Sequence, residues 1–569
     1  MQSTARQVLT SALCLTLLGC SGSDGTGPAT PEGPQILALG PNQTYPGTPG
    51  MTLAVHGSRF SPNSVVEWNG SPRATTFGDG AHLSAFIPAG DLTSPDTAFV
   101  RVRDGEDLSA AARFVISPTA DWLSIGDRFP LPDAEANIGD LLTATFTDAL
   151  DPVSLTDSSV TLSDGGVPVP STRVYDAATR TVTVSATLQP LHSYVLTFGT
   201  DIRSEHLGAL PAPISWGFTL PRARVVTLSA SGVRPAIAVT TDGKPHVAFR
   251  NDDGPGGYTL QLDDCTADCT SEGGWTGRAL DVGGDYANLV AGSGNTLHIG
   301  YQGFGVDYAN TLGGHTVVDT TGWLGWTSIG IAPGGRLHMA YYASTKLRHA
   351  TCQGSCLTPG SWIVDTVDTT GDTGAYTTTT VDAAGTVHIA YLRNDTGDLR
   401  YATCPAECTA GGWSTATVAS DGNVGYGASI KVSGGTAHLT YIDATLGAVR
   451  YATCSSNCLD SASWSLTTVA GVSAGQLGSI PYDTYLETSL ALLPGGGLAV
   501  AYFDVVDLAV RVASCATGCD QTSNWQSVLV SRRGPAWPPA YALGLAVAPN
   551  GRTSVVWQGA HETIFYIEY

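Results

Sequence analysis

Ten of the twelve cysteines stand in five Cys-x-x-x-Cys pairs: Cys265/Cys269, Cys352/Cys356, Cys404/Cys408, Cys454/Cys458 and Cys515/Cys519. Thiols at this spacing can oxidise to a disulfide or offer two thiolates to a metal ion. Zinc would need two further ligands, and each repeat lacks a second cysteine pair or a nearby histidine to supply them. Disulfides, each closing a small loop at a hairpin tip, are therefore expected. Histidine also recurs, at His246, His298, His338, His388 and His438. These residues fall on equivalent strands of separate repeats, too far apart to share one ion. A repeated packing or hydrogen-bonding role fits them, and neither a metal nor a cofactor is implied.

The elements that position these residues repeat with them. Each cysteine pair is followed by a tryptophan: Trp275, Trp362, Trp413, Trp464 and Trp525. A period of about 50 residues is the signature of a propeller or a solenoid. One unit reads as short strands at 378–381, 387–391, 399–404 and 413–418. Equivalent units begin near Ala236, Asn288, Ser328, Ser429 and Ser489, the second without cysteines. A further unit, from Gly544 to Tyr569, lacks a fourth strand, and Arg224–Leu228 is available to supply it. Closing the ring this way removes open sheet edges. The expected fold is all-β, with a seven-bladed β-propeller over 222–569; six or eight blades are the alternatives. Phe249, Tyr301, Tyr341, Tyr391, Tyr441 and Tyr502 are expected in the core between blades.

Loops entering the first strand of each blade meet around the axis. The position two residues before Thr378 holds, in successive units, Arg234, Tyr286, Trp326, Tyr376, Gly427, Glu487 and Ala542. Where it is small, an aromatic precedes it: Tyr426 and Tyr541. The same loops carry Trp323, Tyr482, Asp483, Tyr485, Arg532, Arg533 and Trp537, and the loop from Ala470 to Glu487 is the longest. Flat aromatic faces with a few polar groups suit the C–H-rich faces of sugars, and concave ligand sites are built this way. The candidate ligand-binding residues are Arg234, Tyr286, Trp326, Tyr376, Tyr426, Tyr485, Glu487, Trp537 and Tyr541. The competing reading has these aromatics plugging the channel as core.

The N-terminus carries an address. Arg6 precedes an apolar stretch at 8–18, too short to span a bilayer, which ends in Leu17-Leu18-Gly19-Cys20. This resembles the bacterial lipoprotein signal, which implies cleavage after residue 19 and lipidation of Cys20. Ser21 is not the aspartate that retains lipoproteins at the inner membrane in some Gram-negative bacteria, so the resemblance implies a lipid-anchored protein at the outer membrane of the cell envelope. Residues 20–34 are rich in Gly, Ser and Pro and read as a flexible tether.

Two modules lie between tether and repeats. At 35–117, an apolar strand with Gly57-Ser58-Arg59-Phe60, then Val65–Asn69-Gly70, resembles an IPT/TIG domain. At 118–221, Phe146-Thr147-Asp148-Ala149-Leu150-Asp151-Pro152 and Tyr175-Asp176-Ala177-Ala178-Thr179-Arg180-Thr181 resemble a bacterial Ig-like module. Both resemblances imply β-sandwiches, whose expected role is a stalk. The net charge of −22 opposes nucleic acid as a partner.

The repeats resemble the broad sialidase-like class of exported propellers, in which Gly-x-x-His-h-Ala-Tyr units are common. That resemblance implies arginines for a substrate carboxylate, for which Arg234 and one of Arg532 and Arg533 are candidates, and a Tyr/Glu nucleophile pair, for which Tyr485 and Glu487 are candidates. The Asp boxes of that class are missing, and the isoleucine expected between Arg234 and Pro235 is absent. Some polysaccharide lyases also use seven-bladed propellers, but none of their extended motifs is present. The expectation is a glycan- or protein-binding surface protein, monomeric, with a carbohydrate-active enzyme or a structural scaffold as alternatives.

Overall fold

The structure is a computed structural model. It describes residues 33–569 except 45, 49, 95, 117–122, 206, 211, 253–256, 323, 406–407, 409–410, 472–486, 506, 534–541 and 560–561. Cys20, Trp323, Tyr482, Asp483, Tyr485, Trp537 and Tyr541 therefore lie outside the described residues. No helix among the described residues is long and apolar enough to cross a membrane.

The first sandwich packs the sheet of Gln35–Gly40, Met51–Ser58, His82–Ile87 and Thr75–Asp79 on a second sheet centred on Asp96–Asp104. Along Met51–Ser58 every second side chain is buried, the alternation a one-sided strand requires. Gly57 and Phe60 belong together physically, because a Cβ on Gly57 would collide with the Phe60 ring and the Gln35 carbonyl oxygen.

The second sandwich pairs Ile125–Phe129, Leu142–Phe146, Thr181–Ala186 and Ser171–Asp176 in one sheet. Its two motifs bind each other. The Leu150 N–H donates to the Tyr175 hydroxyl at 2.8 Å, and Arg180 donates to the Thr147 carbonyl at 2.7 Å. Asp151 caps a short turn by accepting from the Val153 N–H at 3.1 Å.

Seven four-stranded sheets follow. Blades 1 to 6 occupy residues 232–282, 285–319, 324–368, 373–419, 424–471 and 488–531. Blade 7 joins Leu543–Val547, Thr553–Gln558 and Ile564–Glu568 to Val225–Ser229, which pairs antiparallel with Ile564–Glu568. The ring is thus closed by the strand that precedes blade 1, giving six complete blades and one shared blade. The first strands begin three to five residues earlier than sequence pattern indicates in blades 1 to 5, for example at Thr373 rather than Thr378. Each contains a register break that interrupts the alternation.

Side chains of the first strands stitch neighbouring blades together. Asn288 accepts from the Ile329 N–H at 3.1 Å, Ser328 from Thr379 at 2.9 Å, Ser429 from Leu490 at 3.1 Å and Ser489 from Leu545 at 2.9 Å. At the seam between blades 7 and 1 the equivalent residue is Gly544, and a Cβ there would press on Ile237 at 2.8 Å.

All five cysteine pairs are disulfides: Cys265–Cys269, Cys352–Cys356, Cys404–Cys408, Cys454–Cys458 and Cys515–Cys519, with Cα–Cα separations of 5.5 to 5.7 Å. In each pair the first cysteine, Cys265, Cys352, Cys404, Cys454 or Cys515, is the last residue of the third strand of its blade. The second, Cys269, Cys356, Cys408, Cys458 or Cys519, lies outside the strands, in the connection to the fourth. Each bridge therefore ties the end of a strand to the loop that leaves it, as the hairpin-tip expectation requires. The bridges lie at the foot of the blade, since Cys352 pairs with Leu337, which pairs with the last residue of Leu324–Ile331.

The following tryptophans lock onto the preceding blade. Trp362 packs on Tyr308 at 5.2 Å, Trp464 on Tyr401 at 5.3 Å, Trp525 on Tyr451 at 5.4 Å and Trp275 on Tyr566 at 4.7 Å. In these four the indole N–H donates to the carbonyl of the second cysteine, Cys356, Cys458, Cys519 and Cys269 respectively, at 2.8 to 3.0 Å. In the remaining unit, that of Cys408, Trp413 instead donates to Asp365 at 2.8 Å and packs edge-on to His349.

The recurrent histidines bond within their own blades. His298, His388 and His438 each contact a third-strand tyrosine hydroxyl at 2.6 to 2.7 Å, His246 contacts Asp264 at 2.6 Å, and His338 contacts His349 at 3.1 Å. Phe249, Tyr301, Tyr341, Tyr391, Tyr441 and Tyr502 are all buried. Tyr341 and Tyr391 donate to Asp319 and Asp368 of the preceding blade at 2.8 and 2.7 Å.

Candidate ligand site at the channel mouth

The first strands enclose an axial cavity of about 360 Å³, within the range of small-ligand sites. Its upper wall contains Arg234, Tyr286, Trp326, Tyr376, Gly427, Glu487 and Ala542, the seven equivalent positions. The first five share an unusual backbone. Their φ angles are 53°, 50°, 44°, 50° and 53°, in the left-handed region. Bulky residues avoid that region, which costs of order 1–2 kcal/mol per residue for an L-amino acid. Each of the five sits at the register break of its first strand, and such breaks re-aim side chains. The repeat therefore builds a strained bulge in five blades and fills four of them with Arg, Tyr, Trp and Tyr rather than glycine.

These side chains form one continuous arc. The Arg234 guanidinium lies over the Tyr286 ring at 4.0 Å. Tyr286 meets Trp326 at 5.3 Å, Trp326 meets Tyr376 at 5.5 Å, and Tyr376 meets Tyr426 edge-on at 5.6 Å. Tyr342 adds a perpendicular contact to Trp326 at 5.4 Å. Among the described residues, the opposite half of the rim contributes Gly427, Glu487 and Ala542. Tyr376 is buried by its neighbours, whereas Arg234, Tyr286 and Trp326 keep part of their surface open to the cavity.

Charge is organised around Arg234. It forms an ion pair with Asp285, which also receives Arg250 at 3.0 Å, and Arg250 is held by Asp252 at 2.7 Å. Burial pushes the Glu487 carboxyl up to about 7, against the pull of Arg234 and of the Leu543 N–H. Glu487 is the single carboxylate among the described lining residues.

Arg234, Tyr286, Trp326, Tyr376, Tyr426 and Glu487 are thus brought together. The disulfides are not part of this site: neither the strand-end cysteines nor Cys269, Cys356, Cys408, Cys458 and Cys519 are among the described lining residues. Arg532 and Arg533 are not part of this wall either. The Arg532 N–H donates to Glu135 of the second sandwich at 2.6 Å, Arg533 donates to the Glu135 carbonyl at 3.2 Å, and Ser531 donates to the Glu135 carboxylate at 2.6 Å. Their place is a contact between the sandwich and the propeller. Lys431 is a lining residue that motif reasoning missed. Comparing the position four residues below the mouth across all blades would have exposed it, because it is the one charged residue there.

Residues 129–220 match the bacterial Ig-like domain family. No curated protein matches the chain. Among solved structures, a Dyadobacter fermentans protein of unknown function shares 10% identity over 60% of this chain and 97% of its own, with a TM-score of 0.39. An auxiliary nutrient binding protein from Bacteroides thetaiotaomicron shares 9% identity over 94% of this chain and 97% of its own, with a TM-score of 0.29. The Aleuria aurantia lectin shares 12% identity over 55% of this chain and 99% of its own, with a TM-score of 0.34.

Proposed function

We propose that the chain is an exported, lipid-anchored envelope protein, attached through Cys20, whose propeller binds a glycan at the axial mouth. The two sandwiches, the first of them an IPT/TIG-like module, serve as a stalk. The observation that carries the proposal is the arc from Arg234 through Tyr286 to Trp326 on one half of the cavity rim. Strained backbone persists where the surroundings demand it and gathers at ligand sites. Stacking faces on one side and a carboxylate on the other suit the C–H face and the hydroxyls of a sugar.

Binding is favoured over hydrolysis. Glycoside hydrolysis needs two carboxylates at a set separation across the scissile bond. Of the described carboxylates, Glu487 alone lines the cavity, and Asp285 behind Arg234 is occupied by two arginines.

The test is a panel of bacterial and host polysaccharides presented to the full chain, with release of reducing ends and unsaturated sugars followed in the same samples. Saturable binding without product, weakened at least tenfold in Trp326→Ala, is the expected result. Product release would make the protein an enzyme. A panel without any binding would remove the glycan reading and leave a protein partner or a scaffold.

A further inference from the structure

Four residues below Gly427 the channel wall changes character. The seven equivalent positions all pair with the second strand at the recurrent histidine position or its counterpart: Ala238, Val290, Gly330, Thr380, Lys431, Ala491 and Ala546. Six are small, apolar or hydroxylic, and the seventh is a lysine. At about 3.3 Å per residue, Lys431 sits about 13 Å along its strand from the rim. The surface it retains opens onto the cavity it lines.

No hydrogen bond or ion pair holds the Lys431 ammonium among the described residues, and burial alone pushes its pKa down. Of the three lysines, this is the one inside the channel. Isolated buried charges are expensive and are normally paired. Stability alone would place Met or Leu here. The charge that acts on Glu487 at the rim is Arg234 and not Lys431.

We propose that the channel is an anion site centred on Lys431, and that the ligand is an acidic saccharide whose terminal residue places a carboxylate on that ammonium. This rests on the reading of the mouth as a glycan site and adds the class of glycan. The depth of Lys431 and the enclosure by seven strands favour the end of a chain over its middle. The net charge of −22 argues in the same direction. A long polyanion would be repelled by the whole molecule, whereas one terminal carboxylate meets a local cation.

The test titrates the full chain with glucuronate, glucose and acetate, and repeats it on Lys431→Met. Glucuronate should bind at least tenfold tighter than glucose, and Lys431→Met should reduce that preference to less than twofold. Acetate binding as tightly as glucuronate, with no binding of glucose, would keep the anion site and remove the saccharide. Equal affinity for glucuronate and glucose, or an undiminished preference in Lys431→Met, would overturn the proposal, as would no binding of any probe. Side-chain NMR of lysine-labelled protein gives an independent readout without mutation. The Lys431 resonance should move with glucuronate and stay still with glucose.

Discussion

At the scale of single residues, the mouth depends on four large side chains, Arg234, Tyr286, Trp326 and Tyr376, held on left-handed backbone. Aligning the units places Arg234, Tyr286, Trp326, Tyr376, Gly427, Glu487 and Ala542 in one register. Nothing in residue type announces that four large side chains occupy left-handed backbone, because such residues normally avoid it. The histidines carry their own prediction. Burial, with repulsion from His349, pushes His338 down to about 3. An unfolded histidine takes its proton near pH 6.5. Between these values the unfolded chain binds more protons than the folded one, so stability is full above pH 6.5 and declines as pH falls toward 3. Thermal unfolding of His338→Gln should show a shallower fall in Tm between pH 6.5 and 4 than the parent. An identical slope would show that His338 is not the group being charged.

At the scale of elements, strand positions followed from alternation, but strand starts did not. The bulge in each first strand breaks the period of two, so sequence pattern places the start after the break. The cysteine–tryptophan unit was legible as a hairpin tip. Its second function, holding the blade before it, depends on long-range contacts that no local pattern encodes. The energetics separate the two parts. A disulfide closing so short a loop contributes about 2 kcal/mol by the loop-entropy relation. A buried tryptophan truncated to alanine costs about 3–5 kcal/mol. Chemical denaturation should therefore find Trp464→Ala more destabilising than Cys454→Ser with Cys458→Ser. The reverse order would place the lock in the covalent bond and not in the ring against Tyr401.

At the scale of the whole molecule, closure of the ring was legible because the last unit lacks a strand and the stretch before the first unit supplies one. The docking of the second sandwich was not legible. Glu135 and its partners Ser531, Arg532 and Arg533 are almost 400 residues apart, about 396 to 398 positions, and loop arginines in a propeller look like ligand groups. Two truncations separate closure from docking. A chain beginning at residue 222 keeps Val225–Ser229 and should elute as a folded monomer. A chain beginning at residue 230 leaves Ile564–Glu568 as an open edge and should associate or precipitate. Equal behaviour of the two in size-exclusion chromatography would mean that the shared strand is dispensable.

The central claim is that a glycan seats on the aromatic arc, and the most direct measurement is hydroxyl-radical footprinting of the full chain with and without a saturating oligosaccharide from the panel. Trp326 and Tyr286 should become protected while Phe304, an exposed ring on blade 2, stays equally reactive. Protection elsewhere with Trp326 and Tyr286 unchanged would contradict the claim and move the site off the axis.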